Sequence, residues 1–176
     1  MFPNLESLNL SFCTSLAELH PSVGFLDKLV HFNLRNCYNL EMFPRIVNMK
    51  SLQDINFEDC KRLENFPEIV GRMESLTSMN VSGTAHQRSA FICWILSLQF
   101  HQKEKVMMKQ GNLDAGVCNI WDGYASALRV IDLSAHNFVS LPACIGKFFN
   151  LWQLNLNGCK RLREVPELPP SWQGYM

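Results

Sequence analysis

Seven cysteines and five histidines are the side chains of this 176-residue sequence with the most chemistry available to them. Thiolates and imidazoles ligate zinc, exchange disulfides and act as nucleophile and base. Their spacing argues against each of these uses. There is no C-x-x-C and no Cys/His quartet at zinc spacing. His20, His31, His86, His101 and His136 are scattered, and spacing pairs none of them with a Ser or Cys nucleophile. Four cysteines, Cys13, Cys37, Cys60 and Cys159, instead occupy one slot of a recurring pattern. The expectation is a chain with no catalytic residue, no cofactor and no metal. Stacking of the pattern would bring Cys13, Cys37 and Cys60 within about 5 Å of their neighbours, the spacing between strands. Closeness of that kind reflects stacking and not a disulfide framework.

The elements that position these cysteines are short repeats. Leu52 to Pro67 reads L-x-x-I-x-F-x-x-C-x-x-L-x-x-F-P. Alternation at Leu52, Ile55 and Phe57 predicts a short strand, Cys60 the turn out of it, and Leu63 and Phe66 a return to the core before Pro67 ends any ladder. One such unit cannot bury its own apolar edge, so neighbours of the same shape must stack on both sides. Units starting at Leu5, Leu29, Leu52 and Leu76 follow one another at spacings of 24, 23 and 24 residues. Leu128, Ile131 and Leu133, with His136 in the Asn/Cys slot, begin a further unit. Leu151, Leu154, Leu156 and Cys159 begin the last, 23 residues on.

The pattern fails between the two blocks. Ser82-Gly83-Thr84 keeps the turn chemistry, but residues 85–112 carry no repeat skeleton and are expected to be an irregular or inserted segment. Leu113, Ala115 and Cys118 form a weak echo of one degenerate unit. The sequence therefore divides into repeats at 1–84, an irregular stretch at 85–112, repeats at 113–172 and a tail at 173–176. In the repeats, alternating Leu positions face inward and the intervening positions face solvent on a concave sheet. Pro44 and Pro67 favour extended or 3₁₀ backbone on the convex side.

Lys+Arg and Asp+Glu number 16 each, a formal net charge of zero. That balance gives no electrostatic reason for nucleic acid or a membrane surface as partner. Met1–Pro3 leads directly into a repeat, with no secretory leader pattern, and the apolar stretch from Phe91 is too short to span a bilayer. Two N-x-[ST] sequons, at Asn9 and Asn80, both fall within predicted strands. The reading is a soluble intracellular chain, cytoplasmic or shared between nucleus and cytoplasm. With no capping unit at its start, the first repeat exposes its apolar edge, and poor solubility of the isolated chain is expected.

The units LRNCYNLEMFP, FEDCKRLENFP and LNGCKRLREVP, with VSGTA, LSAHNFVSLP and ELPPSWQ, resemble the leucine-rich repeat region of plant intracellular nucleotide-binding disease resistance proteins. The likeness is to the class that begins with a Toll/interleukin-receptor domain, and it covers residues 1–84 and 113–172. His136 departs from the usual Asn, residues 85–112 do not follow the pattern, and no G-x-x-x-x-G-K-[ST] phosphate loop is present. The resemblance implies an α/β leucine-rich repeat solenoid, with a concave parallel sheet and an irregular, 3₁₀ or short-helical convex side. It implies a non-catalytic module that senses a pathogen effector or a guarded host protein and restrains the nucleotide-binding domain of the same receptor. Competing readings are an extracellular repeat receptor or inhibitor, and a truncated receptor relative without function.

Recognition by such a module would be written on the solvent-facing strand columns. Asn9, Asn33, Asn56, Asn80, Asp132 and Asn155 form a uniform column, which favours a structural side-chain ladder over ligand contact. The neighbouring columns vary from repeat to repeat, as both a binding face and an unconstrained surface would. Their candidates for partner contact are His31, Arg35, Asp54, Glu58, Arg129, Trp152, Gln153 and Asn157. Trp152 stands out, because an aromatic on a polar face has the amphipathic character enriched at interface hot spots. Its competing role is packing against Arg129. Arg35 with Asp54 and Glu58 makes either a charged contact patch or a set that screens itself.

Overall fold

The computed structural model describes residues 4–63, 68–69, 73–84, 127–141, 145–146 and 148–168. One parallel sheet runs through it, built from β1 (Ser7–Asn9), β2 (His31–Asn33), β4 (Asp54–Asn56), β6 (Ser78–Asn80), β7 (Val130–Asp132) and β8 (Gln153–Asn155), in that spatial order. Pairing is in register throughout, with Phe32 opposite Leu8, Ile55 opposite Phe32, Met79 opposite Ile55, Ile131 opposite Met79 and Leu154 opposite Ile131. Strands are three residues long because only the central residue of each needs to point into the core. Phe32, Ile55, Met79 and Ile131 are buried there, while Leu8 and Leu154 at the two outer strands are half-buried. The solenoid of the sequence reading is thus the observed architecture.

The convex side is built more sparingly. Pro21–Phe25 forms a 3₁₀ turn that starts on proline, whose fixed φ suits the first helical position. β3 (Ile46–Val47) and β5 (Glu68–Ile69) pair as a second, two-stranded parallel sheet. Between the two sides lies a continuous core of strand and loop residues, among them Leu34, Leu40, Phe57 and Leu63, all fully buried. Phe43 lies between Phe32 and Phe57 at ring-centre distances of 5.8 and 5.1 Å. Each such side chain, fully buried, contributes roughly 1.5 to 3 kcal/mol.

The turn that leaves each main-sheet strand is identical in mechanism along the solenoid. The side-chain oxygen of the uniform column accepts from the backbone N–H two residues on: Asn9 from Ser11, Asn33 from Arg35, Asn56 from Glu58, Asn80 from Ser82, Asp132 from Ser134 and Asn155 from Asn157. The column is structural, but its common bond lies within each turn. Among the described residues, the expected ladder within the column is present where the Asn155 amide donates to Asp132 at 2.8 Å, while the Asn80 amide reaches outside the column, to Glu58 at 3.4 Å. An acceptor two residues from its donor is the Asx-turn geometry. The next residue then takes positive φ, at Phe12, Asn36, Asp59, Gly83, Ala135 and Gly158. This turns the chain inward onto the cysteine slot.

At that slot the thiol donates to a carbonyl of the preceding repeat: Cys37 to Leu10, Cys60 to Leu34 and Cys159 to Leu133, at 3.1 to 3.2 Å. Cys13, Cys37, Cys60 and Cys159 are all free thiols. Burial pushes the Cys60 thiol up to about 12, and burial likewise raises Cys37 and Cys159. Burial favours the protonated thiol, the form that donates the hydrogen bond at each of these turns.

The fourth and fifth repeats use the slot differently. Thr84 and His136 occupy it, 52 positions apart in sequence, and their side chains meet at 3.2 Å. His136 also lies 3.0 Å from the Leu133 carbonyl and 3.1 Å from that of Ser134. The imidazole is buried, stacked on Phe138, and burial lowers its pKa below the ordinary value. Here β6 pairs directly with β7, so the sheet passes from the fourth repeat to the unit beginning at Leu128 without an intervening strand. The irregular stretch 85–112, the echo at Leu113, Ala115 and Cys118, and the tail 173–176 lie outside the described residues.

Candidate interaction face

The main-sheet strands, the residues just before them and the turns that follow hold all eight candidate residues, but the structure divides them into two sets. The first lies on β2, β4 and their turns. His31 and Asp54 stand opposite each other in register, and the imidazole Nδ1 meets the Asp54 carboxylate. Arg35 and Glu58, each two residues beyond the turn-forming Asn, form an ion pair at 3.2 Å. Glu58 also accepts from the Asn80 amide. In register, a column position in one repeat faces the same position in the next, so opposite charges placed 23 residues apart meet across the sheet. The patch of Arg35, Asp54 and Glu58 is therefore paired within the molecule, though not as the sequence grouped it. Asp54 belongs to His31.

The second set lies on β7, β8 and their flanks. Trp152 follows Arg129 in the same column, its backbone N–H donating to the Arg129 carbonyl at 2.9 Å. Its side chain is 64% exposed, and Arg129, Gln153 and Asn157 are exposed as well. Among the described residues, none of these four side chains enters an ion pair, a hydrogen bond or a ring contact, so Trp152 does not pack on Arg129 as a cation–π pair. An exposed indole and an exposed guanidinium, consecutive in one column, supply large apolar area, an N–H donor and a five-donor fork.

Sequence reasoning missed the ridge beyond the cysteine slot. Lys61 lies 3.8 Å from Asp59 and 5.1 Å from the centre of the Tyr38 ring. Arg62 pairs with Glu41 and reaches Asn39, whose amide donates in turn to the Thr14 carbonyl. The C-K-R-L spelling, shared by Cys60–Leu63 and Cys159–Leu162, held the signal. Among the described residues, no group of three or more His, Cys, Asp or Glu side chains is placed to hold a metal ion, and no helix is long and apolar enough to cross a membrane.

Comparison with known proteins gives the family. TMV resistance protein N of Nicotiana glutinosa is 29% identical over 165 residues, 94% of this chain and 12% of that protein. Disease resistance-like protein DSC1 of Arabidopsis thaliana is 41% identical over 177 residues, 98% of this chain and 14% of that protein. Disease resistance protein RPP4, also of Arabidopsis thaliana, is 31% identical over 202 residues, 93% of this chain and 15% of that protein. The chain thus spans 12 to 15% of the length of these relatives. No family model matches it, and no solved structure does. The parallel repeat fold and relatives that match nearly the whole chain agree with the motif resemblance: the chain is a leucine-rich repeat solenoid homologous to part of the plant disease resistance proteins of the Toll/interleukin-receptor-type class.

Proposed function

We propose that this chain is a non-catalytic protein-interaction module of a plant immune receptor, acting inside the cell. Its concave face would bind a pathogen effector or a guarded host protein, and in the resting state the nucleotide-binding domain of the same receptor. Exchange between the two partners would work by differential affinity, since a ligand shifts an equilibrium only by as much as it prefers one state. The observation that carries this reading is the open set at the second block, where Trp152 and Arg129, consecutive in one column, are exposed and enter no side-chain hydrogen bond, ion pair or ring contact among the described residues. Side chains of this kind dominate measured interface energies. A scaffold that fixes each main-sheet turn with the same Asn or Asp bond leaves such positions free to vary without cost to the fold.

The test is association of this chain with the nucleotide-binding domain of its receptor, measured by calorimetry. Trp152→Ala and Arg129→Ala are expected to weaken it by roughly 2 kcal/mol each, and His31→Ala by under about 0.5 kcal/mol. No association of the unaltered chain contradicts the restraining role. Association that is unchanged by both second-block substitutions contradicts the assignment of the face.

A further inference from the structure

We propose a second interaction surface outside the concave face: the ridge formed by Lys160, Arg161 and Arg163, which takes an acidic segment of a protein partner. The chain contains its own control. Cys60-Lys61-Arg62-Leu63 and Cys159-Lys160-Arg161-Leu162 are the same four residues in two repeats, and both turns have the same backbone, with Lys61 N–H donating to Asp59 and Lys160 N–H to Gly158 at 2.9 Å. In the third repeat the two cations are held by Asp59, Tyr38, Asn39 and Glu41. In the last repeat the two acidic partners and the tyrosine are gone. Gly158 stands at the positive-φ position of Asp59. The fifth repeat is one residue shorter past the slot, which leaves no counterpart of Tyr38; Asn137 stands in the place of Asn39 and forms no hydrogen bond with Arg161 among the described residues.

Val139 takes the place of Glu41, as the backbone identifies: the Ala17 carbonyl accepts from Glu41 and the Val139 carbonyl accepts from Arg163, so position 139 repeats positions 17 and 41. Lys160, Arg161 and Arg163 are all exposed, and none forms an ion pair among the described residues. Glu164 and Glu167 lie in the same repeat without pairing with them. Val139 and Val165 flank the ridge, 43% and 48% exposed.

Three cations at one edge with apolar neighbours suit carboxylates interspersed with apolar side chains. Guanidinium groups take carboxylates in a two-pronged fork, and the valines give an adjacent apolar contact. A polyphosphate backbone fits less well, because Glu164 and Glu167 would repel it and the chain as a whole carries no net positive charge. The ridge and the concave face are different surfaces, so the failure of either leaves the other standing.

The experiment uses the whole chain and a short fluorescein-labelled peptide of alternating Glu and Leu, read by fluorescence anisotropy. Binding is expected to weaken roughly tenfold between about 50 and 300 mM salt, as screening predicts. Arg161→Glu is expected to weaken it roughly tenfold, and Lys61→Glu by less than about twofold. Val139→Glu restores the acidic position and should weaken binding several-fold while leaving every cation in place. This variant changes an exposed side chain, and its fold is checked by circular dichroism. Equal loss from Lys61→Glu and Arg161→Glu, no loss from Val139→Glu, or tighter binding of a single-stranded oligonucleotide than of the peptide would each overturn the proposal.

Discussion

The first and second blocks present the same columns to solvent and use them differently. On β2 and β4, His31 meets Asp54 and Arg35 meets Glu58 across the sheet. On β7 and β8, Arg129, Trp152, Gln153 and Asn157 make no such contacts among the described residues. The ridge beyond the turn repeats the contrast, with Lys61 and Arg62 neutralised and Lys160 and Arg161 not. A repeat scaffold therefore turns variation into two products. Where register brings complementary charges together, the surface satisfies itself. Where it does not, the side chains stay exposed and uncompensated among the described residues.

The sharpest way to break this comparison is to ask what each block's prominent aromatic does for stability. Phe57 is fully buried in the first block, and Phe57→Ala is expected to cost about 3 to 5 kcal/mol in urea unfolding. Trp152→Ala is expected to stay within about 0.5 kcal/mol of the parent chain, as for exposed substitutions generally. A cost for Trp152 near that of Phe57 would mean that the indole is packed and not presented.

The slot residues give the next effect. His136→Ala removes a buried group bonded to Thr84 and placed against two carbonyls, an expected loss of roughly 1 to 3 kcal/mol. It also carries a pH signature that no cysteine slot has. Burial holds the His136 imidazole below its ordinary value of 6.5, so the unfolded chain binds a proton that the folded chain refuses. Stability from this group is full above 6.5 and falls as pH drops through that value toward the folded one. Unfolding midpoints across that window should slope in the parent chain, and the slope should lessen in His136→Ala.

Two smaller effects sharpen the division between scaffold and surface. Asn56→Ala loses the bond to the Glu58 N–H and is expected to cost about 1 kcal/mol, while Asn157→Ala, at an open position, should be near neutral. The Arg35–Glu58 pair has side chains 48% and 28% exposed. A double-mutant cycle on it should return less than about 1 kcal/mol. A larger coupling would make that pair part of the scaffold.

How much of this was legible in the sequence follows from what repeats. Strand positions, core leucines and the turn function of Cys60 repeat at 23 or 24 residues, and periodicity alone reveals them. Thr84 was less visible, because an isolated hydroxyl in the cysteine slot looks like ordinary turn chemistry until His136 is seen against it. The mechanism of the Asn column was misjudged for a related reason: a uniform column suggests contact between strands, whereas the bond is made two residues along the same chain. Pairing across repeats, such as His31 with Asp54 and Arg62 with Glu41, depends on register, which the spacing implies and side-chain reach decides. The open face was visible only as a list of unlike residues. Absence of a partner is a property of three-dimensional neighbours and leaves no mark in one repeat.

The two blocks form one face because β6 lies directly against β7. Hydrogen exchange at Val81 and Gly83 measures this, because their N–H groups donate to Asp132 and Ser134 across the junction at 3.1 and 3.2 Å. Protection at these two amides is expected to be close to that of Phe57 and Asp59, which make the equivalent bonds to Asn80 and Ser82. Exchange of Val81 and Gly83 at the rate of unbonded amides, with Phe57 and Asp59 still protected, would contradict it.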